Sequence, residues 1–329
     1  LAGPAKPITF LDMAEQHHLK TFLVTGANTG IGYETAKALA KTGGRVIVGV
    51  RSQEKGDETV RSLASETGSE KLSAQIIDLA DLSSIRAASE RLLGEERLDV
   101  LVNNAGLANA KGGKTEDGFD LVMGVNHVGT FALTESLMPI LLQTARQKGE
   151  ARVINLSSAA HQFARRFDPE DLMPEKRGFG RDAYSESKLA TLLHVREMAR
   201  RYGAMGIRAH AVHPGFVNSD FGRKDHFPGL WQLAFTLTKP LQISAEKGAK
   251  TTIAAALSDD AAWNNGLYWE KEKPSSPTLP QHPEKIAHKL WEETERLLRD
   301  KGFRIDRDDA ADKDLSQSAR SSSLFPDGL

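Results

Sequence analysis

Short apolar runs alternate with stretches of helical spacing along most of this chain, and that alternation constrains the fold more than any single residue. Thr21 to Thr25, Arg45 to Val50, Leu72 to Ile77, Asp99 to Val102, Arg152 to Leu156, Arg208 to Val212 and Gly266 to Trp269 each read as a short strand. Helical spacing runs from Ile31 to Lys41, Glu54 to Thr67, Asp81 to Leu93, Glu116 to Arg146, Asp182 to Tyr202, Ala245 to Leu257 and Glu284 to Arg299, with Pro139 expected to kink the longest stretch. Strands that are apolar throughout belong in a parallel sheet covered on both faces, so the spacing predicts an α/β, doubly wound domain with a seven-stranded, mostly parallel sheet. Sheets of this kind bind ligands at the carboxyl ends of their strands.

Bulk composition narrows the function classes. Lys and Arg total 43 against 44 for Asp and Glu, a net charge of -1, which gives no basic surplus for nucleic acid. The absence of cysteine removes disulfides, thiol catalysis and thiolate metal sites together. Mean hydropathy is -0.40 and no uncharged apolar run approaches the roughly 20 residues of a membrane span. The chain begins at Leu1 without a signal-peptide pattern, so a cytoplasmic location is expected unless a preceding segment is missing. Residues 1–20 read as a lead-in, 21–300 as the catalytic domain and 301–329 as a polar, flexible tail. The histidines show no metal spacing, and no metal is expected.

The first strand runs directly into Thr25-Gly26-Ala27-Asn28-Thr29-Gly30-Ile31-Gly32, which opens the first helix. Glycines there allow a tight turn and close approach of backbone to a pyrophosphate, whose charge the free amides of the helix start then meet. This makes the doubly wound domain a Rossmann domain. At the end of the second strand an acidic residue would hold an adenosine ribose hydroxyl; Arg51 stands there instead, 19 residues after Gly32. A guanidinium can pair with a 2'-phosphate, which favours NADP(H) over NAD(H). The competing reading is an exposed arginine at a strand end, with NAD(H) accepted.

Tyr184 and Lys188 lie four residues apart on one face of a helix, downstream of a strand ending Asn155-Leu156-Ser157-Ser158. An ammonium beside a phenol lowers its pKa towards the range of a working acid or base. A serine hydroxyl can hydrogen-bond a substrate carbonyl oxygen while the tyrosine delivers the proton. Ser158 is the chosen serine; Ser157 is the neighbouring alternative, whose other reading is a hydroxyl that only pairs with backbone. Asn126, inside an apolar helix, reads either as a satisfied buried amide or as a helix disturbance with a water relay.

Taken in order, the glycine turn, Asn103-Asn104-Ala105-Gly106, Asn126, Ser158, Tyr184-x-x-x-Lys188 and Pro214-Gly215 make the chain resemble the short-chain dehydrogenase/reductases over roughly residues 20–300. Val125-Asn126-His127-Val128-Gly129, Ser157-Ser158-Ala159-Ala160-His161, Val212-His213-Pro214-Gly215 and the 26-residue step from Ser158 to Tyr184 are similar to the retinol-dehydrogenase-like branch. The resemblance implies a catalytic set of Asn126, Ser158, Tyr184 and Lys188, with Asn126 holding a water beside Lys188. It implies cofactor contacts from Gly26, Asn28, Thr29, Gly30, Ile31, Gly32, Arg51, Asp78, Leu79, Asn104, Ala105, Gly106, Tyr184, Lys188, Pro214, Gly215, Val217 and Ser219. It also implies a homodimer or homotetramer through the long helices. Gly49-Val50 departs from the Ala-Cys of that branch.

These readings predict an NADP(H)-dependent oxidoreductase that interconverts a hydrophobic ketone or aldehyde and its alcohol. An apolar lid over about residues 216–243 and the insert between Ala159 and Asp182 are expected to select the substrate. Two other classes stay open on the same fold: a non-catalytic NADP(H)-binding regulator, and an epimerase or dehydratase that borrows the cofactor.

Overall fold

The computed structural model describes residues 17–108, 112–174, 182–217 and 243–305. Within them the strands are β1 (Thr21–Thr25), β2 (Arg45–Val50), β3 (Leu72–Ile76), β4 (Val100–Asn103), β5 (Ala151–Leu156), β6 (Ile207–His213), β7 (Leu267–Glu270) and β8 (Lys273–Ser275). The principal helices are α1 (Gly30–Lys41), α2 (Gln53–Thr67), α3 (Leu82–Leu92), α4 (Thr130–Ser136), α5 (Met138–Lys148), α6 (Ala183–Tyr202), α7 (Ala245–Leu257), the short α8 (Asp259–Trp263) and α9 (Pro283–Asp300). One sheet joins the strands in the order β3-β2-β1-β4-β5-β6-β7-β8. The chain leaves β3 at one side and re-enters at β4 on the far side of β1, which puts the crevice between the two halves at the carboxyl ends of β1 and β4.

The seven strands expected from the sequence are parallel to their neighbours, as their apolar content requires. Alternate residues feed two cores. Leu23, Ile47, Leu101 and Val153 face α3, α4, α5 and α6. Phe22, Val24, Val46, Val48, Val100, Val102 and Ile154 face α1, α2 and α7.

An eighth, antiparallel strand extends this sheet, with Glu270 paired to Lys273. The two residues between them, Lys271 and Glu272, have φ of 53° and 65°. That is the backbone of a two-residue hairpin turn, and it is usually marked by Asn-Gly; here neither residue carries the signal.

The helix expected from Glu116 to Arg146 starts later and is broken. Gly118 takes φ 85°, and Glu116 donates its amide to Ala80 O. Asp120 then caps a single helical turn, Leu121–Met123, by accepting from the amides of Val122 and Met123. A π-helical turn follows over Gly124–Gly129. The second break falls at Leu137, and Pro139 sits in the first turn of α5, where its missing N–H costs no hydrogen bond.

α9 lies along α6. Trp291 packs edge-on to Phe131 at 4.7 Å and lies 5.5 Å from His194, and the Arg201 guanidinium sits 4.4 Å from its ring. α9 thus packs on α6, one of the long helices through which a dimer or tetramer was expected. Beyond α9, Phe303 is buried beneath Arg86, whose guanidinium donates to Gly302 O. Residues 306–329 lie outside the described residues, as do 1–16 of the lead-in.

Candidate active site

The carboxyl end of β5 and the first turns of α6 build the centre of the site. Asp182 caps α6 by accepting from the Ser185 amide at 2.8 Å and hydroxyl at 2.7 Å, which fixes where the helix starts and so where Tyr184 and Lys188 stand. Lys188 is 6% exposed, and its Nζ donates to Leu156 O at 2.9 Å. The same Nζ lies 5.6 Å from the centre of the Tyr184 ring. The Ser158 side chain is near enough to the Tyr184 hydroxyl to act on its pKa. Both neighbouring serines meet backbone groups. The buried Ser157 hydroxyl donates to Lys188 O at 2.9 Å, whereas Ser158 caps a short 3-10 turn (Ala159–Phe163) and accepts from the Ala160 amide at 3.2 Å.

The electrostatics differ from the sequence expectation. The Tyr184 phenol is pushed up rather than down: burial dominates, the Ser158 hydroxyl opposes it, and the Asp182 carboxylate adds to it. Lys188 does not reverse that shift, and burial brings its own pKa from 10.5 to about 8.

Asn126 sits in the π-helical turn, so the expected helix disturbance is present. Its amide makes three hydrogen bonds. Oδ1 accepts from Leu107 N at 2.8 Å, and Nδ2 donates to Leu107 O at 2.8 Å and to Ser187 Oγ at 3.0 Å. The widened turn pins the segment after β4 to α6 and leaves one lone pair of Oδ1 outside these bonds. Gly106 lies between the two: a Cβ there would stand 3.1 Å from Asn126 Oδ1 and 3.6 Å from Lys188 Nζ.

The turn from β1 into α1 packs against the end of β4. Asn104 Nδ2 donates to Thr25 O at 2.8 Å and Gly26 O at 3.2 Å, while the amides of Asn104 and Ala105 both donate to Thr25 Oγ1 at 3.0 Å. A Cβ on Gly32 would fall 2.3 Å from Gly26 O, so no larger residue fits without moving the turn. Gly30, at φ 58°, has open space where a Cβ would project, and the Thr29 side chain does not cap the helix behind it. An open turn over uncapped amides at the switch point fits a dinucleotide pyrophosphate.

The family model of the short chain dehydrogenases matches residues 20–226 of the chain. The chain belongs to the short-chain dehydrogenase family. Among curated relatives, this short-chain dehydrogenase is 40% identical to mouse (Mus musculus) retinol dehydrogenase 12 over 281 residues, covering 85% of this chain and 86% of that protein. It is 36% identical to human (Homo sapiens) retinol dehydrogenase 13 over 288 residues, covering 85% and 84%. Among solved structures, an uncharacterized protein from Mycobacterium paratuberculosis superposes with TM-score 0.66 at 31% identity, over 88% of this chain and 95% of that one. The Pseudomonas aeruginosa RhlG/NADP active-site complex superposes with TM-score 0.60 at 27% identity, over 76% and 93%. The chain is thus an oxidoreductase related to the retinol dehydrogenases, and its family uses a nicotinamide cofactor.

The remaining expected residues of this short-chain dehydrogenase fall around the same crevice. Asp78, just past β3, accepts from Ala80 N at 2.9 Å, and Leu79 is buried beneath the π turn, its carbonyl 2.2 Å from where a Gly129 Cβ would be. Asn28 is partly buried beside the glycine turn, and Ile31 packs against the start of α7. Arg51 is exposed at the end of β2 and forms no ion pair with a described residue. Gly215 adopts φ 86° after Pro214, and Val217 pairs with Ile243 in an isolated parallel bridge. The two ends of the expected lid are thereby held together. Residues 218–242, with Ser219, and 175–181 of the insert lie outside the described residues.

Sequence reasoning missed three positions. Thr25 receives the two amides of the Asn-Ala turn; Ser187 accepts from Asn126 and donates to Tyr184 O at 2.8 Å; Leu107 is held at both its backbone polar groups. The first two stand inside motifs already singled out, in Thr-Gly-x-x-x-Gly-x-Gly and Tyr-x-x-Ser-Lys, and could have been found there. Leu107 carries no sequence signal, since it acts through its backbone.

Proposed function

We propose that this chain is an NADP(H)-dependent oxidoreductase that interconverts a hydrophobic aldehyde or ketone and its alcohol. The observation that carries the reading is the meeting of the Tyr184 hydroxyl, the Ser158 side chain and the Lys188 ammonium at the carboxyl end of β5, beside an open glycine turn. A bound nicotinamide would supply or accept the hydride. Tyr184, with its pKa raised, holds its proton at neutral pH and donates it to the carbonyl oxygen in the reducing direction. Ser158 accepts from Ala160 and keeps its own hydroxyl proton for the same oxygen. Lys188, anchored by Leu156 O, retains donors for the ribose of the cofactor. Asn126 fixes Leu107 and Ser187 around this centre, and water completes the proton supply.

Arg51 supports NADP(H): it is an exposed guanidinium with no ion pair among the described residues, at the strand end where an acidic residue would select NAD(H). An apolar substrate is supported by Phe163, 67% exposed on the turn after Ser158, and by the relatives, which are named for retinol. Assembly of two copies through α6 would require α9 to leave its place.

NADPH consumption is to be followed at its absorbance band with a panel of aldehydes and ketones, retinal included, for wild type and Tyr184→Phe. The wild type turns over and the variant loses at least ~100-fold in kcat while binding NADPH as before. A variant that keeps its activity removes Tyr184 from the proton path.

A further inference from the structure

We propose that His161 is a positioning residue for Ser158: its imidazole clamps the Ser158 carbonyl and thereby sets where the Ser158 hydroxyl points. The inference rests on the proposed role of Ser158. His161 is 2% exposed, at the third position of the 3-10 turn that Ser158 opens. Its Nδ1 lies 2.7 Å from Ser158 O, and its own backbone amide donates to the same oxygen at 3.1 Å. A carbonyl can only accept, so Nδ1 carries the proton, and both lone pairs of the Ser158 oxygen are taken by one residue.

The ring is itself held. It packs edge-on to Tyr268 of β7, centre to centre 5.6 Å at 69°. Tyr268 is buried and sits in the sheet through β7's pairing with β6. A support therefore runs from the sheet, through Tyr268 and His161, to the peptide plane that follows Ser158. The serine is otherwise lightly held for a residue asked to place a hydroxyl. It lies past the last paired residue of β5, and its side chain makes one backbone contact, the 3.2 Å bond from Ala160. Without the clamp on Ser158 O the turn from Ser158 to His161 is free to open, and the Ala160 amide that orients the Ser158 hydroxyl moves with it. Displacements of about 1 Å at such a group cost on the order of 100-fold in rate.

His161 is not placed to exchange protons with substrate. Its bonding nitrogen faces backbone, and burial pushes its pKa down, so the ring stays neutral. The clamp is a matter of hydrogen-bond geometry, and that makes it separable from packing. An asparagine amide nitrogen reaches the place of Nδ1, whereas a glutamine amide reaches the place of Nε2.

The test compares His161→Asn, His161→Gln, His161→Leu, Ser158→Ala and the Ser158→Ala/His161→Gln double variant. Each is assayed with NADPH and the aldehyde turned over fastest in the panel. Expected is a fall in kcat of about 10-fold or more for Gln and Leu, with KM and NADPH affinity within about 2-fold, and recovery to within about 3-fold of wild type for Asn. The double variant should be no slower than Ser158→Ala alone, because the clamp acts only through the serine. Wild-type kcat in His161→Gln, an asparagine variant as slow as the glutamine one, or additive losses in the double variant each overturn the inference. If His161→Leu does not fold, the Asn–Gln comparison decides. An active Ser158→Ala would instead overturn the role of Ser158, which separates the two failures.

Discussion

Replacing Lys188 by methionine should stabilise the protein free of cofactor while abolishing its activity. Burial moves the Lys188 pKa from 10.5 to about 8, so keeping the ammonium in the folded state at pH 7 costs about 3 kcal/mol. Methionine removes that cost and fills a similar volume, but it leaves Leu156 O without its 2.9 Å partner, a loss of about 1 kcal/mol. The net gain of about 2 kcal/mol corresponds to a melting temperature higher by about 4 °C for a domain of this size. The pH dependence fixes the sign. Between pH 8 and 10.5 the unfolded chain still holds the lysine proton while the folded chain has released it, so wild-type stability rises with pH across that window. The margin between variant and wild type should therefore be constant below pH 8 and shrink towards pH 10.5, other alkaline titrations being common to both. Thermal unfolding followed by circular dichroism at pH 7, 8, 9 and 10 measures it. A variant less stable than wild type at pH 7, or a margin that does not change between pH 7 and 10, refutes the assignment of a buried, strained ammonium.

Two other perturbations address the cofactor and the fold. Arg51→Asp should shift the NADPH-to-NADH ratio of kcat/KM by about 10-fold or more towards NADH, because one charge-assisted pair is lost and a repulsion gained; an unmoved ratio would place cofactor choice elsewhere. Lys271→Asn with Glu272→Gly should raise the urea midpoint by an amount equal to about 1 kcal/mol at unchanged slope, since φ of 53° and 65° strains both present residues; a lower midpoint would mean that their side chains matter more than their backbone.

Much of this molecule was legible in one dimension because its signals are local. β1 and β2 have the bounds that their apolar runs announce, and α7 starts and ends where its helical spacing places it. The backbone pairing expected of Ser157 is met at Lys188 O. What failed had non-local causes. The helix from Glu116 was pre-empted by Gly118 and by Glu116's bond to Ala80 O, 36 residues back. The β8 hairpin uses a turn that its two residues do not favour, and it forms on the edge that β7 offers.

The sequence by itself determined the seven parallel strands and the place of the glycine turn, because periodicity and glycine act within a few residues. Only the tertiary structure decided the electrostatics and the clamps. Burial is a property of everything packed around a group, and it raised Tyr184 and lowered Lys188 where the four-residue spacing alone had implied a lowered phenol. Asn126 likewise spends its amide on Leu107 and Ser187, partners that no spacing along the chain brings into view.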